Sequence, residues 1–309
     1  MAVLKICSLL PAATEIACAI GLKENLVAVS HECDYPPDVL SLPKITRAAV
    51  DVKSLSSSQI DEAVRSRISR GLPLYEIDLE LLAELNPDLI LTQDLCRVCA
   101  VPSGQIHREV RRLGLKARVL SLDARNLRGV LEAILILGEF TGRRREAWQV
   151  VQGLRARSEA MMERSLGIQR RPRVLCLEWT DPPYIAGHWV PEMAYIAGGF
   201  DGLGVPGMPS RRVGWEEIVD YDPEYLLVMP CGYDARKAAE EVRNLMVLEK
   251  LRGVQAVSGG RVYALDANAL FSRPGPRLFD GLTILGKILH PTLFGELTSE
   301  EQPHVLRVV

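Results

Sequence analysis

Residues 86–91 read Asn-Pro-Asp-Leu-Ile-Leu, and residues 222–227 read Asp-Pro-Glu-Tyr-Leu-Leu. Each stretch combines the end of a helix, a proline that stops the helix and an apolar run typical of a buried strand. A second pair of stretches matches in the same way, because residues 118–123 (Arg-Val-Leu-Ser-Leu-Asp) resemble residues 261–266 (Arg-Val-Tyr-Ala-Leu-Asp). The sequence therefore predicts two related lobes with the same order of strands and helices.

Strand and helix signals alternate around these stretches. Strands are predicted near residues 4–9, 27–29, 88–92 and 118–122, with helices between them, and Thr14 is placed to cap the first helix. Such alternation favours a mostly parallel sheet covered by helices. We therefore expect an α/β fold made of two Rossmann-like lobes.

A long helix is predicted between the lobes. Residues 143–166 contain no proline and a single glycine, and their apolar side chains recur at helical spacing. At 1.5 Å per residue this segment would be about 36 Å long. The predicted division is an N-terminal lobe at 1–142, a bridging helix at 143–166 and a C-terminal lobe at 167–309.

Composition excludes several classes of protein. The chain has 309 residues with a net charge of -2, and 48% of them are hydrophobic, which is typical of a globular protein of about two domains. The nearly neutral charge argues against nucleic-acid binding. Apolar runs are too short for a transmembrane helix, and Pro11 and Glu15 interrupt the only stretch resembling a signal peptide. We therefore expect a cytoplasmic location, with the seven cysteines reduced.

Six loops follow the predicted strands and carry most of the chemically useful side chains. Ligands of open α/β sheets bind beyond the carboxyl ends of the strands. If two such lobes face each other, these loops would line the cleft between them. Prolines stiffen these loops and aromatic residues occur beside hydroxyls, amides and a few charges, which is typical of a preformed site for a large amphipathic ligand. The loops lie at residues 10–15, 30–37, 92–104, 178–189, 229–235 and 266–277.

Five motifs in a fixed order carry a resemblance to a known family. They are Pro11-Ala12-Ala13-Thr14-Glu15, Asp34-Tyr35-Pro36-Pro37, the run 78–90 ending in Pro-Asp-Leu-Ile, Pro182-Pro183-Tyr184 and Ser272-Arg273-Pro274. Together they resemble the cobalamin-binding proteins of the helical-hinge class of solute-binding proteins, over nearly the whole chain. The same class includes haem, siderophore and metal binders. The resemblance implies a corrin lying edge-on in the cleft between aromatic side chains of both lobes.

The resemblance also suggests which residues touch the ligand. It places Tyr35 and Tyr184 at the aromatic positions and Arg273 near the peripheral amides, with Pro11, Ala12 and Thr14 near the ring. The other ligand-binding candidates lie in the same loops, and they are Asp34, Gln93, Trp179 and Phe271. We expect a non-catalytic cobalamin-binding protein. The alternative within the family is the substrate-binding subunit of an ABC importer, partnered by a permease and extracytoplasmic if the start is truncated.

The loop after the third strand departs from the family. Transport members present a tryptophan and glycines there, whereas this chain has Gln-Asp-Leu-Cys-Arg-Val-Cys at 93–99. Cys96 and Cys99, with Cys33 and His31 on a neighbouring loop, have the ligand types of a zinc or iron–sulfur site. Free thiols and a redox-active dithiol are the alternatives. The competing prediction is therefore a metal-binding or redox protein on the same scaffold.

Catalysis has little support in the sequence. The chain lacks a Gly-x-Ser-x-Gly elbow, a His-Glu-x-x-His zinc motif, a Walker loop and a dinucleotide fingerprint. Glu178 and Asp181 have the chemistry of a general acid and base, but nothing in their spacing requires it, and hydrogen bonding or capping is the simpler role. We therefore expect no enzymatic activity.

Overall fold

A computed structural model describes residues 3–50, 55–95 and 101–309. The chain divides into two compact units. The first comprises Met1–Ala124 with Arg128–Gln152, and the second comprises Arg125–Leu127 with Gly153–Val309. Both units combine strands and helices, so the predicted α/β class is confirmed.

The first unit is built on a parallel sheet. Its strands are β1 (Ile6–Ser8), β2 (Leu26–Val29), β3 (Thr46–Ala48), β4 (Tyr75–Ile77), β5 (Leu89–Thr92) and β6 (Arg118–Ser121). Its helices are α1 (Pro11–Ala19), α2 (Ser57–Ser69), α3 (Leu79–Leu85), α4 (Ser103–Arg112) and α5 (Leu127–Thr141), followed by α6 (Arg144–Leu166). The four-stranded sheet has the order β2-β1-β5-β6 with parallel neighbours, and β3 and β4 form a separate antiparallel pair.

The second unit carries a larger, mixed sheet. Its strands are β7 (Val174–Thr180), β8 (Pro183–Ile185), β9 (Arg211–Arg212), β10 (Tyr225–Val228), β11 (Val262–Leu265) and β12 (Val305–Arg307). Its helices are α7 (Val190–Ile196), α8 (Trp215–Tyr221), α9 (Ala235–Asn244), α10 (Val247–Lys250), α11 (Gln255–Ser258), α12 (Ala267–Leu270), α13 (Leu278–Leu289) and α14 (Pro291–Phe294). The order is β12-β11-β10-β7-β8-β9, in which β11, β10 and β7 are parallel and the outer strands are antiparallel.

The repeat predicted from residues 86–91 and 222–227 extends to backbone conformation. Asn86 ends α3 with φ +43°, and Asp222 ends α8 with φ +49°, so both helices stop in the left-handed region before a proline. Asn and Asp tolerate this conformation better than other non-glycine residues. The same local sequence has therefore produced the same helix end in both units.

Matching hydrogen bonds follow each of these helix ends. The main-chain N–H of Asp88 donates to Lys5 O at 2.9 Å, and the Asp88 carboxylate accepts from Lys5 N at 2.9 Å. In the second unit, Glu224 N donates to Arg173 O at 2.8 Å, and the Glu224 carboxylate accepts from Arg173 N at 3.1 Å. Each acidic residue thus ties the start of one strand to the start of its parallel neighbour.

The long helix predicted at 143–166 is present as α6, Arg144–Leu166. Its residues up to Gln152 belong to the first unit and those from Gly153 belong to the second. The preceding helix packs tightly against its start, since a Cβ on Gly138 of α5 would lie 2.4 Å from Ala147 Cβ. One continuous helix therefore carries the chain from one unit into the other.

Two local predictions are wrong, and one pair of strands was not predicted. Thr14 does not cap α1, because the helix begins at Pro11 and Thr14 lies inside it, with Oγ1 3.3 Å from Leu10 O. Residues 183–185 are strand β8 instead of loop, because they pair with the end of β7. The β3–β4 pair was missed, since strands of three residues give too short a pattern to detect.

Each unit has its own buried apolar core. In the first unit, Cys7 and Ile90 of neighbouring strands pack with Ile106 of α4. In the second, Leu226 and Val262 pack with Val242 of α9. Among the described residues, every helix is too short or too polar to cross a membrane.

Candidate ligand-binding site

In the sheet of the first unit, β2 is added on one side of β1 and the later strands β5 and β6 on the other, so the strand order reverses at β1 and β5. Strand β1 pairs with β2 on one side and β5 on the other, and crevices of open α/β sheets form at the carboxyl ends of such a strand pair. Helix α1 starts directly after β1, and Gln93 directly follows β5. Four predicted ligand-binding residues, Pro11, Ala12, Thr14 and Gln93, therefore lie at this end of the sheet.

Several of these side chains are turned into the protein. Thr14 is completely buried, with Oγ1 2.8 Å from Ser8 Oγ and 3.1 Å from Cys33 Sγ. Pro11 and Ala12 are also buried in the first turn of α1. Gln93 is only 4% exposed, and its Oε1 accepts no hydrogen bond from the described part of the chain. Thr14 therefore shapes the loop, whereas Gln93 keeps acceptor capacity at the end of β5.

The loop after β2 presents more accessible side chains. Asp34 is exposed, and the Tyr35 side chain is 44% exposed despite its large aromatic ring. An exposed tyrosine ring offers a flat apolar face with a polar end, the chemistry predicted for contact with a corrin. Tyr35 is thus the most accessible aromatic ligand candidate of the first unit.

His31 and Cys33, both proposed metal ligands, have other contacts. His31 Nδ1 lies 2.8 Å from Thr46 Oγ1, and its ring lies 5.7 Å from that of Tyr75. Burial, and to a lesser degree the charge of Lys44, lowers the pKa of His31. Cys33 is 1% exposed and touches Thr14. The His31 ring therefore lies against Thr46 of β3, and Cys33 is enclosed.

The predicted metal site is not assembled by the described residues. Within 3–50, 55–95 and 101–309, no group of three or more His, Cys, Asp and Glu side chains is arranged to hold a metal ion. Cys96 and Cys99 lie outside the described residues. The zinc or iron–sulfur site therefore stays a prediction.

A cavity of about 550 Å³ opens elsewhere on the first unit. It lies between Leu72 of the α2–β4 turn with Tyr75 of β4 on one side and Gln105 and Arg108 of α4 on the other. None of the predicted ligand-binding residues lines it. The sequence-predicted site and this cavity are therefore different features.

In the second unit, two of the predicted aromatic residues form a cross-strand pair. Trp179 of β7 is opposite Tyr184 of β8, and both are half-buried. Residues opposite each other in an antiparallel pair project from the same face of the sheet. The register shifts between Leu177 and Trp179, which marks a bulge beside this pair. The structure thus brings Trp179 and Tyr184 together on one surface.

Tyr233, from the loop after β10, supports the tryptophan of this pair. The rings of Trp179 and Tyr233 are 5.5 Å apart and tilted by 59°, and Lys237 Nζ lies 3.9 Å from the Tyr233 ring centroid. Trp179 Nε1 donates to Asp181 O at 3.2 Å. Burial raises the pKa of Tyr233 to about 12. The orientation of Trp179 is therefore set by contacts on more than one side.

Phe271 and Arg273, the remaining ligand candidates, are both buried. Phe271 is 3% exposed, and its carbonyl accepts from Trp189 Nε1 at 2.7 Å. Arg273 is 7% exposed, and its Nη2 donates to Asn268 Oδ1 at 2.9 Å. These contacts fix the segment after α12 in a defined conformation.

Glu178 has a hydrogen-bonding role. Its Oε1 accepts from Ser210 Oγ at 2.8 Å, so it ties the end of β7 to the segment before β9. Burial raises the pKa of Glu178, while hydrogen bonds from Ser210 and the Gly187 backbone oppose the shift. This agrees with the simpler of the two roles considered for this carboxylate.

Sequence reasoning missed three of these supporting residues. Tyr233 and Asn268 lie in loops that were predicted to line the site, but their contacts depend on how separate loops meet. Ser210 lies outside every predicted loop, and no local signal marks it as the partner of Glu178. Supporting residues of this kind become visible only in three dimensions.

Comparison with known proteins places this fold in a family. The model of the family described as periplasmic binding protein matches residues 6–269. The chain belongs to the periplasmic binding protein family. One relative is an uncharacterised ABC transporter substrate-binding lipoprotein, YvrC, from Bacillus subtilis. It is 24% identical to this chain, and the match covers 94% of this chain and 82% of YvrC.

Two further similar proteins are named for the ligand that they bind. A vitamin B12-binding protein from Vibrio cholerae is 25% identical, with 90% of this chain and 86% of the relative covered. The structure of the periplasmic haem-binding protein RhuT from Roseiflexus superposes with a TM-score of 0.70 at 22% identity, covering 94% of this chain and all of that one. The structural likeness confirms the two-lobe periplasmic binding protein fold.

These names bear on two earlier predictions. All three relatives are named as binding proteins, in agreement with a non-catalytic role. The lipoprotein and periplasmic names do not support the predicted cytoplasmic location. The cytoplasmic expectation rested on Pro11 and Glu15, which interrupt the apolar stretch near residue 10.

Proposed function

We propose that this protein is the substrate-binding component of an ABC importer and that it binds cobalamin outside the cytoplasm. The observation that carries the choice of ligand class is the Trp179–Tyr184 pair, two aromatic side chains on one face at the end of β7 and β8. Flat macrocycles bury their faces against aromatic surface. The family membership and the name of the Bacillus relative support an importer permease as partner.

Cobalamin is preferred over other tetrapyrroles because the five ordered sequence motifs resemble cobalamin binders and the Vibrio relative carries that name. The proposed ligand contacts of the second unit are Trp179, Tyr184 and Arg273. Tyr35 and Gln93 are the candidates of the first unit. The predicted division into 1–142, 143–166 and 167–309 is part of the same proposal, with residues 143–166 as the connecting helix.

Haem is the second candidate ligand. It is favoured by the likeness to the Roseiflexus haem-binding protein, and His31, whose pKa is lowered by burial, offers an imidazole near Tyr35 in the sequence. Neutral imidazole is a common metal ligand. A zinc or iron–sulfur site using Cys33, Cys96 and Cys99 is the remaining sequence-based candidate.

The test is a parallel titration of the purified chain with cyanocobalamin and with haemin, followed by absorbance and calorimetry. We expect cyanocobalamin to bind with a dissociation constant at or below about 1 µM, which corresponds to about -8 kcal/mol. Tight binding of haemin without binding of cyanocobalamin would replace cobalamin by haem. Binding of neither would reject the tetrapyrrole proposal.

A further inference from the structure

Two proposed ligand contacts in the second unit, Trp179 and Arg273, are connected through residues that need not touch the ligand. Trp179 lies on β7, whereas Arg273 follows α12, so the two are far apart in sequence. Between them lie Tyr233, after β10, and Asn268, in α12. Each of these two residues contacts its neighbour and one ligand candidate.

Tyr233 makes the contact with the tryptophan. Its ring centroid lies 5.5 Å from that of Trp179 and 3.9 Å from Lys237 Nζ. Tyr233 is 4% exposed, so its ring is surrounded by protein and not by water. The backbone of Lys237 is anchored in the first turn of α9, where its main-chain N–H donates to the capping Asp234 carboxylate at 2.7 Å. The Tyr233 ring is therefore confined beside Trp179.

Asn268 makes the contact with the arginine. Its main-chain N–H donates to Tyr233 O at 3.0 Å, and its Oδ1 accepts from Arg273 Nη2 at 2.9 Å. The short helix that carries it is anchored at its start, where Asp266 Oδ1 accepts from Ala269 N at 2.9 Å and Asp266 Oδ2 lies 2.7 Å from His304 Nδ1. Asn268 thus joins a fixed helix to the Tyr233 loop and to the Arg273 guanidinium.

We propose that Tyr233 and Asn268 are positioning residues, which hold Trp179 and Arg273 in their ligand-binding arrangement before the ligand arrives. This inference rests on the proposed function. Ordering side chains during binding reduces affinity, so contacts that order them beforehand strengthen it. Replacing either positioning residue should therefore weaken ligand binding while the fold is retained. The loss should occur only when the ligand contact that the residue positions is present.

The first test is a double-mutant cycle with cyanocobalamin and haemin as probes. Asn268→Ala is expected to weaken binding of the preferred probe about tenfold, the effect of one hydrogen bond to a charged group. If Asn268 acts through Arg273, adding Asn268→Ala to Arg273→Ala causes no further loss. Asn268→Asp keeps an acceptor for the guanidinium and should restore most of the affinity. Simple additivity of the two losses would overturn the proposal for Asn268.

The second test compares two changes at Tyr233. Tyr233→Phe keeps the ring beside Trp179 and should bind like the original chain, whereas Tyr233→Leu removes the ring and should bind about tenfold more weakly. The Tyr233→Leu loss should disappear in a Trp179→Ala background. Equal effects of Phe and Leu, or a loss that persists without Trp179, would refute the role of the ring. Exposed Asn244 and Tyr195 provide control variants, Asn244→Ala and Tyr195→Leu.

A ligand-free measurement separates this inference from the proposed function. In nitrogen–proton NMR spectra, the Trp179 indole and Arg273 guanidinium signals are assigned by Trp179→Phe and Arg273→Lys. Asn268→Ala should shift the arginine signal, and Tyr233→Leu should shift the tryptophan signal. Unchanged signals would overturn the positioning role whether or not a tetrapyrrole binds. If the signals shift but neither probe binds, the proposed function is rejected and the positioning role of Tyr233 and Asn268 stands.

Discussion

Trp179 and Tyr184 are directly opposite each other across β7 and β8, so their side chains leave the same face of the sheet. This pairing was not expected, because the sequence placed Tyr184 in a loop. It gives these two aromatic candidates a common surface on regular structure, which holds side chains more accurately than a loop does.

Replacing Tyr184 should therefore weaken ligand binding without unfolding the protein. We expect Tyr184→Ala to reduce the binding free energy of cyanocobalamin by about 1–3 kcal/mol, the range for truncating a large apolar contact. Isothermal titration calorimetry measures the change. Tyr195→Ala, on an exposed part of α7, is the matched control and should bind as the original chain does. Equal affinity of Tyr184→Ala and the original chain would remove Tyr184 from the site.

The buried carboxyl group of Asp201 predicts a pH dependence of stability. Asp201 is 8% exposed and accepts from Gly204 N at 2.8 Å and Leu203 N at 3.2 Å. Burial raises its pKa from 3.8 to about 6, although these hydrogen bonds oppose the shift. Between these two values the folded protein keeps the proton that the unfolded chain has lost. The free energy of unfolding therefore falls as the pH rises through this range, by about 3 kcal/mol in total.

Asp201→Asn removes that titration while keeping an acceptor for the two N–H groups. Relative to the original chain, it should gain stability as the pH rises from 4 to 7, measured by urea unfolding across that range. Asp220→Asn, at an exposed position, controls for the change in net charge. A constant difference between Asp201→Asn and the original chain at every pH would contradict the raised pKa.

The two left-handed helix ends should respond differently to glycine. Asn86→Gly removes the backbone strain of a non-glycine residue at φ +43°. The free energy of unfolding of this variant should therefore stay within about 1 kcal/mol of that of the original chain, or rise. Asp222→Gly gains the same relief but loses the carboxylate that accepts from Gln255 N at 2.9 Å and pairs with Arg173 at 3.3 Å. It should be the less stable variant in thermal unfolding. The reverse order would show that the side-chain contacts of Asp222 contribute little.

Two helical glycines, Gly281 and Gly153, differ in the space around them, so the effect of adding a methyl group should differ in sign. A Cβ on Gly281 would lie 2.5 Å from Leu270 O and 3.0 Å from the Phe271 ring, so Gly281→Ala should cost about 1–3 kcal/mol. A Cβ on Gly153 of α6 would meet nothing within 4 Å. Gly153→Ala should therefore stabilise the helix by about 0.5–1 kcal/mol. Chemical denaturation of both variants checks the contrast, and a stable Gly281→Ala would indicate that Leu270 and Phe271 move aside.

Burial predicts which of the described thiols react. Burial raises the pKa of Cys7 to about 12 and that of Cys18 to about 11, and it also raises the pKa of Cys176. Cys231 is exposed. Because the thiolate is the nucleophile, iodoacetamide at pH 8 should label Cys231 well before these three, as mapped by mass spectrometry. Early labelling of Cys7 or Cys176 in the folded protein would contradict the enclosed cores.

The parts of the fold that repeat along the chain could be predicted from the sequence. The stretches at 86–91 and 222–227 have strong local patterns, and both became a helix end followed by a buried strand. Strand β8 could not be predicted, because Pro183 and Tyr184 are in a strand only through pairing with β7. Edge pairing of three-residue strands depends on tertiary contact and leaves no periodic signal.

The candidate site was predictable at the level of loops and less so at the level of side chains. Tyr35 is exposed, whereas Thr14 is enclosed by Ser8 and Cys33. Arg273 was expected at the ligand, and the structure shows it bound to Asn268, a residue that sequence reasoning did not mention. Sequence patterns report which loops meet at a sheet edge, whereas hydrogen bonds decide which side chains remain accessible.

The paired contacts of Asp88 with Lys5 and of Glu224 with Arg173 give the two units the same construction at the amino ends of their strands. In each unit a residue in the left-handed region is followed, two positions later, by a carboxylate that closes on the neighbouring strand. The aromatic pair Trp179–Tyr184 lies where β7 ends and β8 begins. In the second unit, the residues that frame the sheet and those proposed to bind the ligand thus lie at opposite ends of β7.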